Sequence, residues 1–314
     1  MKRLFYFILL IAGLSSIHSC KDMLDDDGDP LLDLNETGGL IGPRALYREI
    51  TDKDTLAEYH YSGLLVTKVL TPKGSVTDIS YSGNTVSEIN FKGFLDLDGD
   101  GTIDEDSIVY TQLFTYGPNG RLDKVSENRS IFRRTPPVPP ATTPGPFVLL
   151  RKAKSLYELT YDASTAKMSS VIMRNGPDVS GTPFAFTDYS KSQYTYLGDN
   201  VSKVVREYGT VTGPVNAPVY GRPTTRLAYD FYEYDTSISP FTLLPNAYKI
   251  SRLFSTEAND RESHILSPNN PKKASVTDLV PPIPVPVIRI TNYNYDPQTY
   301  MRKGFGINYI YKPF

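Results

Sequence analysis

The stretch SIVYTQLFTYGPNGRLDKV, residues 107–125, contains the pattern that decides the fold. Its first half alternates, so that Ile108, Tyr110 and Phe114 fall on one face of an extended strand and Thr111 on the other. The turn sequence GPNG follows, and a second run of alternating apolar and polar residues begins directly after it. Two alternating runs around a glycine-containing turn predict a β-hairpin.

The same arrangement recurs along the chain: an aromatic residue near the end of one strand, a turn, and a second strand. A lone hairpin is barely stable in water, so the copies must pack side by side, and a sheet with open edges invites aggregation. We therefore predict an all-β protein, an antiparallel meander of hairpins forming one large curved sheet or a partly closed barrel. The copies begin at His60, Ser80, Thr115, Thr160, Thr195, Glu233 and Asn294.

The composition also favours β structure. The chain has 23 Tyr and 14 Phe, and its 22 Gly and 25 Pro leave little room for long helices. Alternation continues in AYKISRLF, residues 247–254, and in VIRITNYNY, residues 287–295, which we predict as strands. Proline-rich inserts at 135–146, 212–225 and 281–286 predict polyproline-like loops between strands.

The hairpin copies resemble the YD repeat, whose core is Tyr-Asp, a turn glycine and a strand rich in Leu or Val. YGPNGRLDKV, residues 116–125, matches this core most closely. The Tyr-Asp pair itself occurs at Tyr161, Tyr234 and Tyr295, each followed by aspartate. The resemblance implies a relative of the Bacteroidetes surface lipoproteins that carry degenerate YD-like hairpins.

The N-terminus has the features of an export signal. Lys2 and Arg3 precede an apolar run at 4–14, which is shorter than the roughly 20 residues that span a bilayer. The residues before Cys20, the only cysteine, resemble the lipobox of bacterial lipoproteins. That resemblance implies cleavage before Cys20 and lipidation of its thiol. The alternative is an ordinary signal peptide followed by a free cysteine.

An acidic segment follows the cysteine, with aspartates at 25–27 and 29. It resembles the export signal of Bacteroidetes surface lipoproteins, and clustered like charges also keep a tether solvated. We predict a lipoprotein signal peptide at 1–19, an acidic tether at 20–37 and a single all-β domain with proline-rich loop inserts at 38–314. The protein would be anchored by lipid to the outer membrane or cell surface.

One acidic stretch has the spacing of a metal site. DLDGDGTIDEDS, residues 96–107, resembles an EF-hand calcium loop and, because strand patterns flank it, the helix-free loops of dockerin-like repeats. Ser107 stands where the family has a bidentate Glu, so Glu105 or Asp106 would have to supply that oxygen. The alternative is a solvated acidic turn. The resemblance implies one structural calcium ion bound by the side chains of Asp96, Asp98, Asp100 and Asp104 and the carbonyl of Thr102.

Composition and motifs bound the function. The formal net charge is -2 and no strongly basic patch occurs, so nucleic acid is not an expected partner. His60 and His264 lack a metal-ligand spacing and are expected to be surface or hairpin residues, and the sequence contains no G-x-S-x-G, P-loop or H-E-x-x-H motif. We predict a non-enzymatic binding or scaffold module for a glycan or an envelope protein. A glycan-active hydrolase using an unidentified pair of carboxylates is the alternative.

Overall fold

The computed structural model describes residues 44–97, 102–137, 143–255 and 260–313. Within these ranges it contains eighteen strands in one sheet, the helix α1 (Asn246–Phe254), and short 3-10 turns at Pro72–Gly74 and Ser263–Leu266. The strands are β1 (Arg44–Ile50), β2 (Thr55–Ser62), β3 (Leu65–Thr71), β4 (Ser75–Ser82), β5 (Thr85–Gly93), β6 (Ser107–Tyr116), β7 (Leu122–Arg134), β8 (Phe147–Tyr161), β9 (Met168–Pro177), β10 (Asp188–Leu197), β11 (Asn200–Thr212), β12 (Val219–Tyr220), β13 (Thr225–Tyr234), β14 (Pro271–Asp278), β15 (Pro286–Ile290), β16 (Asn294–Tyr295), β17 (Met301–Gly304) and β18 (Ile307–Pro313).

The sheet is an antiparallel meander that curves back on itself. Successive strands pair from β1 to β11, β11 pairs with both β12 and β13, and β13 continues through β14 to β15. At the other side of the sheet, β1 pairs with β18 and β18 with β17. No backbone ladder joins β15 to β17 or β18 in the part of the chain that the structure describes. The predicted antiparallel meander, a large curved sheet or partly closed barrel, is therefore confirmed, and within the described residues the sheet is not closed between β15 and β17 or β18.

The inner face of the barrel wall carries the apolar core. In β6, Ile108 and Tyr110 are buried in the interior, as the alternation predicts. In the residues described, no helix has the length and apolar character needed to cross a membrane. Charged pairs that cross neighbouring strands on the outside are Lys68 with Asp78, Lys124 with Glu158, and Lys203 with Asp230.

Tyrosine hydroxyls tie successive hairpins together. Tyr116, the last residue of β6, donates a hydrogen bond of 2.8 Å to the carbonyl of Val86 near the start of β5. The same bond recurs between other neighbouring strands, and we call the set the tyrosine ladder. Its other members are Tyr61 to Leu46, Tyr81 to Val66, Tyr161 to Leu122, Tyr196 to Met168, Tyr234 to Val201 and Tyr311 to Met301.

A β-bulge lies opposite most ladder tyrosines. The register shifts directly before Tyr61, Tyr81, Tyr116, Tyr161 and Tyr196, and in each case the extra residue lies on the following strand. A bulge increases the local twist, so each hairpin is twisted most at its ladder tyrosine. Burial raises the pKa of Tyr81, Tyr161 and Tyr196 to about 12, so these hydroxyls remain donors at neutral pH.

The two ends of the barrel differ in their connections. Because the meander is antiparallel, the turns that follow Tyr61, Tyr81, Tyr116, Tyr161 and Tyr196 lie at the same end as the ladder, which we call the turn end. Gly63 and Gly83 open two of these turns at positive φ, a conformation that strains other residues. The connection that carries α1 also starts and ends there, because Tyr234 pairs with Pro271. The opposite end, the loop end, has the connections from β5 to β6, β7 to β8, β9 to β10, β11 to β13 and β14 to β15.

The strand predicted at 247–254 is wrong, and so is the hairpin beginning at Glu233. The segment instead forms α1, which lies in the barrel interior with seven of its nine residues buried. Phe254 stacks on Tyr157 of β8 at a ring distance of 3.9 Å, and Tyr248 meets Tyr59 of β2 edge to face. Ala247, Ile250, Leu253 and Phe254 are spaced as one apolar face of a helix, and the barrel also encloses part of the polar face, so that Lys249 and Ser251 are buried.

Candidate functional site

The strand predicted at 287–295 is interrupted, and the interruption creates a pocket. Its first part, β15, pairs with β14, and after residues 291–293 its second part, β16, pairs with β17. A cavity of about 420 Å³ lies where the two ladders separate. This size is typical of small-molecule sites. We call this cavity the seam pocket; it is lined by Phe231, Phe241, Phe305, Tyr309, Glu49, Arg252, Glu262 and His264, among others.

An arginine between two carboxylates holds one side of the seam pocket. Arg252, on α1, donates to Glu49 over 2.8 Å and to Glu262 over 2.6 Å. Glu49 is only 1 % exposed and also accepts a hydrogen bond from the Tyr59 hydroxyl. Burial acts to raise the pKa of Glu262, but the charge and hydrogen bonds of Arg252 outweigh it and lower that pKa. Glu262 thus stays ionised at neutral pH.

His264 contributes a neutral polar group to an aromatic part of the wall. Expected at the surface or in a hairpin, it lies instead in the 3-10 turn after α1, near Phe231, Phe241 and Phe305 at ring distances of 5.7, 6.4 and 6.5 Å. Burial lowers the pKa of His264 in spite of the opposing charge of Glu262. Its Nδ1 is buried and forms no hydrogen bond within the described residues. That nitrogen is a position at which a ligand hydroxyl can bind.

The carboxylates of the seam pocket bear on the hydrolase alternative. A glycosidase needs one carboxyl group whose pKa is raised so that it can act as general acid. Glu262 has the opposite property, because Arg252 lowers its pKa and contacts both of its oxygens, at 2.6 and 3.0 Å. The arrangement therefore suits recognition of polar groups better than proton donation.

The predicted calcium loop lies at the loop end, between β5 and β6, and only part of it is described. Asp98 and Asp100 lie outside the described residues, whereas Asp96, Thr102 and Asp104 lie within them. Among described side chains, no group of three or more His, Cys, Asp or Glu is arranged to hold a metal ion. Because two of the predicted ligands, Asp98 and Asp100, are not described, the calcium site stays a prediction.

The described part of this loop is already held by hydrogen bonds. The Asp104 carboxylate accepts the Leu97 amide over 2.9 Å, and the Lys73 ammonium donates to the Ile103 carbonyl over 2.8 Å. Asp106 forms a bidentate pair with Arg133, at 2.9 and 2.7 Å, and this contact lowers the pKa of Asp106. Since Asp106 has a cationic partner, the exposed Glu105 is the better candidate for the last calcium ligand.

The other predicted site, Cys20, lies outside the described residues, as do the signal peptide at 1–19 and the tether at 20–37. The seam pocket was not found from the sequence. Its ionised groups come from positions such as Glu49 and Arg252, which are 203 residues apart. No local spacing connects them, and the one available signal was the histidine at 264 close to Glu262.

Comparison with known proteins adds little to this picture. No family model matches the chain, and neither does any curated protein sequence. Among solved structures it is similar to a porin-like protein from Bacteroides vulgatus ATCC 8482, with a TM-score of 0.44 and 9 % identity. That match covers 86 % of this chain and 100 % of the other. At this TM-score and identity, the similarity identifies neither a family nor a function for this protein.

Proposed function

We propose that the protein is a lipid-anchored, non-enzymatic binding module of the bacterial cell surface, and that its ligand is a small glycan held in the seam pocket. The observation that carries this proposal is the pocket itself, a cavity of about 420 Å³ in the barrel wall, lined by β15, β18 and the segment after α1. Binding sites for small molecules combine mostly apolar walls with a few oriented polar groups. Long loops around a rigid scaffold are also where binding commonly occurs.

The side chains of the pocket suit a sugar. A sugar ring has an apolar C–H face and a set of hydroxyls, so it needs both flat rings and hydrogen-bonding groups. Phe231, Phe305 and Tyr309 provide the rings, and the buried Nδ1 of His264 provides a polar contact. A concave pocket of this kind fits a glycan better than the surface of an envelope protein.

The cell-surface location rests on Cys20 and the acidic residues that follow it. Metabolic labelling with a fatty-acid analogue should mark the wild-type protein and leave Cys20→Ala unlabelled. A single acyl chain binds a membrane only marginally, so stable anchoring requires more than one. Equal labelling of the two proteins would contradict the anchor.

The ligand is tested with two variants on β15. Val287 lines the seam pocket, and Ile288 points to the opposite face of the same strand; they are 66 % and 49 % exposed. In a protein carrying Cys20→Ala, Val287→Trp should obstruct the mouth and weaken oligosaccharide binding by about tenfold or more. Ile288→Trp, the matched control, should bind like its parent.

Calorimetry against a panel of oligosaccharides measures the affinity of the parent and of both variants, and circular dichroism confirms that each is folded. Absence of binding across the panel, or equal affinity of Val287→Trp and its parent, would overturn the seam pocket as a glycan site. Release of reducing ends from the panel, lost in both Glu49→Gln and Glu262→Gln, would favour the hydrolase instead.

A further inference from the structure

A second cavity lies at the loop end, between the C-terminal end of α1 and strands β7 to β11. It has a volume of about 300 Å³ and shares none of its lining residues with the seam pocket. Among the described residues that line it, basic side chains outnumber acidic ones by four to two. We call it the cationic pocket. Its charged residues are Arg129, Arg151, Lys152 and Arg206 on the basic side and Glu127 and Asp188 on the acidic side.

The two acidic residues already have partners. Glu127 accepts hydrogen bonds from Arg129 over 2.8 Å and from Gln112 over 2.7 Å, so its charge is matched by Arg129. Asp188, at the exposed end of β10, accepts the hydroxyl of Thr187 over 2.6 Å. The charge of Arg206 is therefore not matched by a carboxylate of the cavity lining.

Arg206 is buried with an incomplete set of hydrogen bonds. It is only 4 % exposed, and its Nη2 donates to Ser190 over 3.3 Å. Its nearest carboxylate is Asp260, whose oxygen lies 3.7 Å from Nη1, beyond normal hydrogen-bond length. Its Nε is buried and has no hydrogen-bond partner among the residues described. A buried guanidinium donor without an acceptor is costly, and an incoming anion would remove that cost.

Asp260 does not depend on Arg206 alone. Its carboxylate accepts hydrogen bonds from the hydroxyls of Ser192, at 2.8 Å, and Ser263, at 3.2 Å. Hydroxyl donors stabilise the charged form of a buried carboxylate. Arg206 can therefore donate to a further oxyanion without leaving Asp260 unsatisfied.

The mouth of the cationic pocket is also basic. Arg151 and Lys152 are adjacent on β8, are both exposed, and line the same cavity as Arg206. Exposed charges of one sign around a cleft raise the local concentration of oppositely charged ligands. The guanidinium fork below them matches the geometry of carboxylate, sulfate and phosphate oxygens.

We propose that the cationic pocket binds the oxyanion group of a small molecule, with Arg206 donating a hydrogen bond from Nε and with Arg151 and Lys152 drawing the anion in. Carboxylate, sulfate and phosphate share the required chemistry. The site is separate from the seam pocket and does not depend on the glycan proposal.

The test titrates the Cys20→Ala protein with inorganic phosphate, sulfate and acetate at low ionic strength, by calorimetry and thermal melting. Binding of one or more of these probes is expected, and their order of affinity shows which head group the site prefers. Arg151→Gln combined with Lys152→Gln, both at exposed positions, should weaken binding by about tenfold. The matched control combines Lys53→Gln with Lys92→Gln, two exposed lysines outside the cavity lining, and should bind like the parent.

Arg206→Lys keeps the charge but removes the Nε donor, so it should weaken binding at unchanged net charge. If Arg206→Lys does not fold, the double variant at the mouth, Arg151→Gln with Lys152→Gln, still tests whether the cationic pocket binds anions. No binding up to concentrations at which ionic strength itself changes stability would overturn the proposal. Equal weakening of anion binding in the double variant at the mouth and in the control double variant would also overturn it, because the effect would then come from overall charge.

Discussion

The tyrosine ladder and the buried ion pairs stabilise the barrel by different chemistry. At the turn end, neutral tyrosine hydroxyls donate to backbone carbonyls, as Tyr116 does to Val86. Elsewhere in the wall, ions pair in the interior, as Arg252 does with Glu49 beside the seam pocket and Arg44 does with Asp296 at the start of β1. A neutral hydrogen bond adds about 0.5–1.5 kcal/mol to stability, whereas a buried ion pair costs desolvation that its attraction barely repays. Ions kept inside at that cost mark candidate sites of recognition.

The two kinds of contact should differ in how well they tolerate single substitutions. Each ladder bond can be lost without leaving a buried charge, so the ladder should accept substitutions one at a time. The buried ion pairs should not, because removing one partner leaves the other charge unpaired in the interior. The predictions below test this contrast, from the largest expected effect to the smallest.

Removing the C-terminal strands should have the largest effect. Deletion of residues 288–313 takes away β16 to β18, leaves β1 without one of its two partners, and removes Tyr309 and Ile310 from the core. We expect loss of cooperative melting by circular dichroism. Deletion of 21–37 in the Cys20→Ala protein is the control and should leave melting unchanged. A truncated barrel that melts like the full one would show that the C-terminal strands are peripheral.

Breaking the ion network of the seam pocket should come next. Arg252→Met leaves Glu49, which is 1 % exposed, without its cation and should lower the free energy of unfolding by about 3–5 kcal/mol. The control is Arg226→Met, which breaks the exposed pair with Glu207 and should cost at most about 1 kcal/mol. Urea unfolding measures both. Equal costs would show that the buried network adds nothing beyond a surface pair.

Replacing a lysine inside the barrel should raise the free energy of unfolding, whereas breaking the ion network lowers it. Lys249, on α1, is 6 % exposed, and burial lowers its pKa from 10.5 to about 8. Below pH 8 the unfolded and folded chains both carry this proton, but the folded state holds it at a cost of about 3 kcal/mol. The cost fades as the pH rises from 8 toward 10.5, because the folded state loses the proton first.

Lys249→Met should therefore stabilise the protein at pH 7, and its advantage should shrink by pH 9.5. The wild type should gain stability over that interval relative to the variant, as measured by urea unfolding at each pH. Lys92→Met, at an exposed position of β5, is the control and should show neither effect. A destabilised Lys249→Met protein would mean that the ammonium makes a favourable interaction inside the barrel.

Single changes in the tyrosine ladder should be mild. Tyr116→Phe keeps the ring and removes the 2.8 Å bond to the Val86 carbonyl, so we expect a loss of about 1 kcal/mol. Tyr232→Phe, at a position 42 % exposed, is the control and should change stability little. A loss at Tyr116 as large as that of Arg252→Met would contradict the contrast between the ladder and the buried ion pairs.

The sequence allowed the repeating part of the fold to be predicted, because that part is local. A strand, an aromatic residue and a glycine turn lie within about a dozen residues, and the hairpins around Gly63, Gly83 and Gly198 form as expected. The ladder explains why an aromatic residue recurs before each turn. The carbonyl that accepts each tyrosine hydroxyl lies on the preceding hairpin. The sequence therefore shows that Tyr recurs, but it does not show which carbonyl each hydroxyl contacts.

The features that escaped prediction depend on distant contacts. Helix α1 was taken for a strand because Tyr248, Ile250 and Phe254 fit an alternating pattern, although Ala247, Ile250, Leu253 and Phe254 also fit a helical period. The seam pocket arises because residues 286–295 change partner halfway, which is decided by packing against β14 and β17. Arg129 and Arg206 carry no local signal, because their partners, such as Phe254 and Asp260, come from the insertion that holds α1.

Calcium should have the smallest effect, because it concerns one loop. The extracellular type of calcium loop binds at roughly 0.1–1 mM, so about 1 mM calcium should add only about 0.4–1.4 kcal/mol. That corresponds to a rise of a few degrees at most in the melting temperature of chelator-treated protein. Magnesium should do less, because it requires tighter octahedral geometry and retains its waters.

Asp98→Ala combined with Asp100→Ala should abolish the shift, and Asp25→Ala combined with Asp26→Ala in the tether is the control of equal charge. Lys73 sharpens the test, because its ammonium already donates to the Ile103 carbonyl of this loop over 2.8 Å. Lys73→Met removes that competing cation, so calcium should bind the variant more tightly than it binds the wild type. Calorimetry that detects no uptake at several times the expected dissociation constant, in either protein, would reject the site. The aspartates would then form a solvated turn, and the barrel would bind its ligands through its two pockets alone.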